Sequence, residues 1–170
     1  MIDALQGDQK SPRARADSDL VQKAYVYILR HGRLLVFRER AHKDSGVQVP
    51  GGTLDPGETP EQGARREVIE ETGRTDLVID GYLGSHLWNY QWRHVTGRYR
   101  RHFFFGHLED PAPESWKHWE MTPSDGGDPF QMRFYWVPFP TGYPRLDHGY
   151  GLKLVQLRER LIAGSLKNDA

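Results

Sequence analysis

One stretch of sequence decides the fold, residues 51–73, which reads GGTLDPGETPEQGARREVIEETG. Its second half predicts an α-helix over Pro60–Thr72, because Thr59 is a suitable N-cap and Gln62 completes a capping box. Proline also favours the first helical position, which it occupies here. Gly73 stands where a left-handed glycine ends a helix. The stretch therefore predicts a glycine loop followed by a helix with defined ends.

Carboxylates cluster on one face of this predicted helix. Glu67, Glu70 and Glu71 fall within an arc of about 100° around the helix axis. Glu67 and Glu71 are four residues apart, where like charges repel by roughly 0.2–0.5 kcal/mol. Such a face needs a countercharge. Oxygen ligands without sulfur favour a hard cation, magnesium or manganese, over zinc.

The neighbouring residues bear on whether this face is a metal site or a solvated surface. Arg65, Arg66 and Arg74 could neutralise the acids as ordinary surface ion pairs. Gly51 and Gly52, however, end a predicted strand just before the helix, and glycine lets the backbone approach a phosphorylated ligand closely. A glycine loop beside an acidic helix favours cations held between carboxylates and substrate phosphates.

The spacing of these residues resembles the signature of the Nudix hydrolase family. Reading from Gly52, the chain has a glycine, five residues, Glu58, seven residues and then REVIEETG at residues 66–73. Every fixed position of the signature is matched, and the box from Gly52 to Gly73 looks like the MutT-type branch. One position departs from the signature: the family usually has an aliphatic residue after the last glycine, and this chain has Arg74 there. The position is a structural one in the motif.

The resemblance implies an α/β fold, the Nudix α/β/α sandwich in which a mixed sheet lies between helices. We expect residues 1–20 to form a flexible polar tail, residues 21–166 a single domain, and residues 109–131 a loop. Apolar and β-branched runs predict strands, the first two joined as a hairpin, at 24–29, 34–37, 77–83, 85–92, 99–108 and 134–137. Apolar residues at helical spacing predict a closing amphipathic helix at 151–161.

The resemblance also implies the chemistry, hydrolysis of a diphosphate linkage in a nucleoside diphosphate joined to another group. Nucleoside triphosphates and dinucleoside polyphosphates are the expected substrates. The implied ligands of Mg²⁺, or of Mn²⁺ in its place, are Glu67, Glu70, Glu71 and the backbone carbonyl of Gly51. Arg66 resembles the family arginine that orients a glutamate through a bidentate pair. These three glutamates and Arg66 form the expected catalytic set.

The carboxylate that accepts the proton is left open by the sequence. Members of the family differ in where they place the base, so Glu70 competes with Glu109, Glu114 and Glu120 of the predicted loop. Glu58 is expected to support the metal-binding residues. The same loop contains three further residues to which the sequence assigns no role, Trp116, His118 and Trp119.

Aromatic residues alternate after the box and are candidates for binding a nucleobase. Trp88, Tyr90 and Trp92 share one face of a predicted strand, where a base could stack or where the side chains could simply form sheet core. Tyr90 lies where the dinucleoside polyphosphate branch of the family tends to have tyrosine. Residues 74–107 contain no proline, which disfavours the ADP-ribose branch. We therefore name Tyr90 as a substrate contact.

A basic run follows the aromatic residues. It contains Arg93, His94, Arg98, Arg100, Arg101 and His102. It predicts either a phosphate-binding surface or a solvated strand face. With Gly51 and Gly52, we name Arg101 as a substrate contact.

Composition excludes several classes of site. The chain has no cysteine, which removes disulfides, thiolate zinc sites and cysteine nucleophiles and favours a cytoplasmic location. It has no apolar run of about 18 residues, so we expect no membrane span. The 23 basic and 23 acidic residues balance, which makes nucleic acid an unlikely partner.

Two functions remain compatible with the motif. The first is the active pyrophosphohydrolase, and the second is a non-catalytic Nudix domain that binds a nucleotide as a regulator. Degenerate binders usually lose glutamates of the box, and this chain keeps them all, which favours the enzyme. A homodimer is expected from the resemblance alone.

Overall fold

The computed structural model describes residues 20–40, 45–92, 95–121, 123, 126–142 and 145–168. For 90–92, 95–96 and 165–168 it describes the backbone only. The predicted tail, Leu20 excepted, lies outside the described residues. The elements in chain order are β1 (Val21–Arg30), β2 (Arg33–Glu39), β3 (Gly51–Thr53), α1 (Pro60–Thr72), β4 (Leu77–Trp92), β5 (Val95–Leu108), β6 (Ser115–Glu120), β7 (Phe130–Pro138) and α2 (Leu154–Asn168).

The strands form one mixed sheet with the order β4-β5-β1-β2-β7-β6, and β3 pairs with β1 beside this path. β1 runs parallel to β5, whereas its pairings with β2 and β3 are antiparallel. His31 and Gly32 form the turn of the predicted hairpin between β1 and β2, and both have positive φ. The predicted mixed sheet is confirmed.

The two faces of the sheet carry separate hydrophobic cores. Successive residues of β1 point to opposite faces, so Val26 packs with Val68 of α1 and Tyr27 packs with Leu157 of α2. All four residues are fully buried. One helix therefore covers each face, which is the α/β/α sandwich expected from the resemblance. No helix in the described part of the chain is long and apolar enough to cross a lipid bilayer.

α1 begins and ends where the sequence predicts. The Thr59 hydroxyl accepts the Gln62 N–H at 3.3 Å, and the Thr59 N–H donates to Gln62 Oε1 at 2.9 Å, so the capping box is formed. Gly73 closes the helix with φ of 73° and donates its N–H to the Ile69 carbonyl. Defined ends fix which helical face the sheet receives, and hence where the glutamates lie.

The prediction of a loop over residues 109–131 is wrong for residues 115–120 and 130–131, which are strand. Ser115–Glu120 forms the edge strand β6, which pairs antiparallel with β7 from Phe130 onward. Its side chains are alternately exposed and covered, with Trp116 facing the helix α1 side and Lys117 facing away. The prolines and glycines around this segment suggest a loop, but the available edge of β7 lets it pair as a strand.

Two smaller boundaries also differ from the prediction. Residues 77–83 and 85–92 belong to one long strand, in which the pairing register shifts near Gly84. Gly84 has φ of 96°, a conformation that glycine adopts without strain, and the strand continues through the bulge. The closing helix begins at Leu154 rather than Gly151 and extends past Leu161.

Candidate active site

The glycine loop, α1 and the end of β6 enclose a cleft of about 740 Å³. β3 pairs with β1 through Gly51 and Gly52, which places the loop directly beside the glutamate face of α1. Carboxylates dominate the lining of this cleft. They are Glu39, Asp55, Glu67, Glu70, Glu71 and Glu120.

Both glycines are needed because other atoms occupy the space of a side chain. A Cβ on Gly52 would lie 2.4 Å from Glu67 Oε2, and a Cβ on Gly51 would lie 2.1 Å from the Ala24 carbonyl oxygen. Gly51 also has φ of 141°, outside the range that side chains usually allow. Its N–H donates to Glu71 Oε2 at 2.8 Å. The loop thus contacts two of the predicted metal ligands directly.

Arg66 connects the helix to the loop. Its Nε and Nη2 donate to the two carboxylate oxygens of Glu58 at 2.8 and 3.0 Å, the bidentate geometry of strong arginine–carboxylate pairs. Its Nη1 donates to Glu70 Oε2 at 2.8 Å, and its Nη2 donates to the Thr53 carbonyl at 2.8 Å. Hydrogen bonding to Arg66 lowers the pKa of Glu58. These contacts suit a residue that orients glutamates.

Burial strongly affects two of the predicted metal ligands. Glu67 is 8% exposed, and burial raises its pKa to about 7, with Glu70 adding repulsion and Arg66 opposing it. Burial raises the pKa of Glu71 well above its ordinary value, and repulsion from Glu67 adds to it, while the Gly51 N–H acts in the opposite sense. A buried carboxylate and a partly buried one that repel each other are unfavourable as anions unless a cation joins them.

The donor set fits a hard divalent cation, although its geometry is not that of a bound metal. Among the described residues, no three acidic or histidine side chains converge as a ready-made metal site. Glu67, Glu70 and Glu71 nevertheless offer only oxygen ligands on one helical face, and the burial of Glu67 beside Glu71 favours a compensating charge. The structure shows the Gly51 N–H engaged by Glu71, and a carbonyl ligand from Gly51 stays a prediction.

Only one of the three predicted loop acids lies at the cleft. Glu120 is buried at the end of β6 and repels both Glu67 and Glu71. Glu114 instead bridges Arg30 and Arg33 at 2.6 Å each and does not line the cleft. Glu109 lies before β6 in the chain and does not line the cleft either. Of the three loop acids, only Glu120 therefore remains beside Glu70 as a cleft-lining candidate for the base.

The sequence did not point to Glu39. This residue ends β2, lines the cleft and accepts a hydrogen bond from Gln48 Nε2 at 2.8 Å. The available signal was strand alternation, since Glu39 shares a face with Phe37, which packs in the core beneath α1. An acid in line with buried apolar residues is a better site candidate than one on the solvent face.

Arg101 is placed behind the cleft rather than on it. It is 5% exposed, and its guanidinium carbon lies 4.8 Å from the ring centre of Trp88, 5.5 Å from Tyr25 and 5.4 Å from Tyr150. Its Nη1 donates to the His148 carbonyl at 2.5 Å. The internal position of β5 buries this side chain, so we withdraw the prediction of a direct substrate contact. The side chains of Tyr90 and Trp92, with Arg93 and His94, lie outside the described residues.

Two side chains of β6, those of Trp116 and His118, lie against the C-terminal end of α1. Trp116 Nε1 donates to the Thr72 carbonyl at 3.1 Å, and its ring stacks on Phe134 at 5.1 Å between centres. His118 lies against Gly73. β6 thus holds the C-terminal end of α1 against the sheet, which fixes the helix that bears the glutamates.

Comparisons with known proteins agree with this architecture. A family model described as the NUDIX domain matches residues 20–145. A Bacillus subtilis (strain 168) protein assigned by name as an 8-oxo-dGTP diphosphatase is 33% identical over 88 residues, which cover 51% of this chain and 53% of that protein. A MutT-like protein of Streptomyces ambofaciens is 48% identical over 54 residues, 31% of this chain and 33% of the other. The chain therefore spans about half or less of the curated relatives it matches.

Solved structures share the fold at low sequence identity. A MutT NUDIX hydrolase from Burkholderia pseudomallei has a TM-score of 0.55 at 18% identity and covers 82% of this chain and 98% of its own. A NUDIX hydrolase from Nitrosomonas europaea has a TM-score of 0.56 at 22% identity, covering 86% and 90%. A UDP-X diphosphatase has a TM-score of 0.60 at 14% identity, covering 92% and 73%. On the match over residues 20–145, the chain belongs to the NUDIX domain family.

Proposed function

We propose that this chain is a pyrophosphohydrolase, dependent on a divalent cation, that cleaves a diphosphate linkage in a nucleoside diphosphate joined to another group. One observation supports this most directly: the buried Glu67 and the partly exposed Glu71 both lie against the bare backbone of Gly51 and Gly52. Burying like charges lowers stability. A site that keeps them suits cations and phosphates better than it suits a purely structural role.

Mg²⁺, with Mn²⁺ as a substitute, is the proposed cofactor, held by Glu67, Glu70 and Glu71. When bound, such an ion neutralises charge on phosphate oxygens and lowers the pKa of a coordinated water. The absence of sulfur ligands from the cleft is compatible with either ion.

The residues of the chain divide the remaining tasks. Arg66 fixes the orientation of Glu70 through its hydrogen bond at 2.8 Å. Gly51 and Gly52 leave room for a phosphate to approach the backbone, and Lys23 lines the same cleft and can attract it. Glu70 and Glu120 are the candidates for holding the proton of the attacking water, since both carboxylates line the cleft.

The substrate is proposed to be a nucleoside triphosphate, with a dinucleoside polyphosphate as the second choice. Phe130 and Tyr150 are partly exposed, line the cleft and offer aromatic surface beside the carboxylates, which suits the stacking of a base. The name of the Bacillus subtilis relative, an 8-oxo-dGTP diphosphatase, supports the same substrate class.

A matched pair of glutamate variants tests the proposal. We would measure turnover of nucleoside triphosphates, dinucleoside polyphosphates and nucleotide sugars with Mg²⁺ or Mn²⁺, together with nucleotide binding by calorimetry. Glu71→Gln removes a proposed metal ligand and is expected to lower turnover by at least about 100-fold. Glu61→Gln changes an exposed acid of the same helix, paired with Arg65, and is expected to retain activity.

The two outcomes separate the enzyme from the regulator. Metal-dependent turnover that Glu71→Gln abolishes and Glu61→Gln preserves supports the hydrolase. Tight nucleotide binding without turnover of any member of the panel would contradict it and favour the non-catalytic nucleotide-binding domain.

A further inference from the structure

A second cavity of about 310 Å³ lies where β2, β7 and β6 run side by side. Its lining is mainly basic, in a chain whose overall charge is zero. We define the basic patch as the four cationic residues of this lining: Arg38, Arg40, Lys117 and Arg133. All four are exposed, so their charges face the solvent.

The register of the sheet sets three of these cations in a row. Arg38 lies directly opposite Arg133 in the β2–β7 pairing, and Lys117 lies directly opposite Arg133 in the β6–β7 pairing. Like charges facing each other across antiparallel strands destabilise a sheet. None of the three forms an ion pair or a side-chain hydrogen bond with another described residue. An anion bound across the row would relieve this repulsion.

The basic patch and the carboxylate cleft lie on opposite faces of the sheet. Along β6, Glu120 is buried toward the cleft, whereas Lys117 and Trp119 occupy the alternate, exposed positions. Glu39 lines both cavities and is the one carboxylate among the described residues of the smaller one. The Glu39 carboxylate also accepts a hydrogen bond from Gln48.

An aromatic ring accompanies the cations. Trp119 is 51% exposed, two residues beyond Lys117 on the same face of the edge strand. Its partner across β7 is Gln131, which itself lines the cavity. Proteins that bind single-stranded nucleic acids without sequence preference combine the same two features. Their cations contact phosphates, and their exposed aromatic rings stack on bases.

We propose that the basic patch is a second site that binds the phosphate groups of a nucleotide outside the carboxylate cleft. Arg38 and Arg133 donate their guanidinium N–H groups to phosphate oxygens, Lys117 adds a compact charge, and the base stacks on Trp119. The phosphates have two sources with the same chemistry: the distal end of a long substrate whose reacting linkage occupies the cleft, or a separate nucleotide.

Calorimetric titration of the full chain with inorganic tripolyphosphate tests the site. EDTA in the buffer removes divalent cations, so the acidic cleft lacks the ions proposed to hold phosphate there, and no turnover is required. The double variant Arg38→Ala with Arg133→Ala is expected to weaken binding at least about tenfold. The matched control, Arg145→Ala with Arg158→Ala, removes two exposed arginines that line neither cavity and should bind as the wild type does.

The experiment has three informative outcomes. Equal affinity of both double variants, or no saturable binding to the wild type, would overturn the proposal even if the hydrolase activity is confirmed. Weakened binding with a raised KM only for substrates with longer phosphate chains supports the site and assigns it to the substrate. Weakened binding with every KM unchanged supports the site and assigns it to a separate nucleotide.

Discussion

The carboxylate of Glu67 occupies the space that a side chain on Gly52 would need. A Cβ on Gly52 would lie 2.4 Å from Glu67 Oε2 and 2.5 Å from both other atoms of the carboxylate group. Real Cβ atoms do not approach other atoms this closely. The glycine therefore leaves the space in which the Glu67 carboxylate lies.

The first prediction concerns this contact. Gly52→Ala should displace the Glu67 carboxylate and lower turnover by about 10- to 100-fold, with a smaller effect on thermal stability. Gly164→Ala, in α2 with no atom within 4 Å of the added Cβ, is the control and should gain up to about 1 kcal/mol of helix stability. Full activity of Gly52→Ala would show that the position of Glu67 is not needed for catalysis.

The second prediction concerns Arg66. Arg66→Lys keeps the charge but loses the paired bonds to Glu58 and the link to the Thr53 carbonyl, so kcat should fall by about 10- to 100-fold. The neighbouring Arg65→Lys affects an exposed pair with Glu61 and should change stability by less than about 1 kcal/mol. Steady-state kinetics of both variants decide the matter. Equal kcat values would contradict the orienting role.

The third prediction concerns the strand that the sequence did not reveal. Trp116→Phe keeps an aromatic ring against Phe134 but removes the hydrogen bond to the Thr72 carbonyl. We expect a loss of about 1 kcal/mol in the free energy of unfolding, measured by urea denaturation. Trp119→Phe, at an exposed position of the same strand, should unfold as the wild type does. The idea fails if the two variants are equally stable.

The fourth prediction concerns stability at acidic pH. The His102 ring lies between the Tyr82 hydroxyl at 2.9 Å from Nδ1 and Gln22 Oε1 at 2.8 Å from Nε2, an arrangement that a neutral imidazole satisfies by accepting at one nitrogen and donating at the other. Burial lowers the pKa of His102, and the charge of Arg100 lowers it further.

The direction of the pH effect on stability follows from comparing the folded and the unfolded protein. Unfolded His102 takes up a proton as the pH falls through about 6.5, before the folded protein does. The unfolding free energy contributed by this residue is therefore present above that pH and is lost as the pH falls toward the lowered pKa of the folded state. His102→Gln should reduce this loss, whereas His107→Gln, an exposed residue paired with Asp80, should not. Urea denaturation between about pH 5 and about 8 measures the difference.

Local signals explain why α1, the helix that carries the glutamates, could be predicted from the sequence. The cap at Thr59, the stop at Gly73 and the glutamate spacing all act within a few residues, so sequence alone locates them. The strand pairing of β6 depends on a partner that begins at Phe130, beyond a segment rich in proline and glycine. Such long-range pairing leaves a weaker trace in the sequence than a helix cap does.

The surroundings of individual side chains were harder to predict from the sequence than the helix was. Arg101 looks like a surface cation in a basic run, but β5 lies between β4 and β1 and buries it among aromatic rings. The basic patch joins residues from three strands, none of which stands out along the chain. The cytoplasmic location, the homodimer and the single domain over residues 21–166 stay predictions.

The parallel pairing of β1 with β5 has a consequence for the order in which the protein assembles. β1 can pair with β2 and β3 as soon as these neighbours have been synthesised, but its other edge pairs with residues 99–106. Until β5 emerges from the ribosome, that edge exposes unpaired N–H and carbonyl groups to other chains. We expect β5 to be the last part needed before β1 is protected, so a nascent chain that stalls before residue 99 is the form most prone to aggregate.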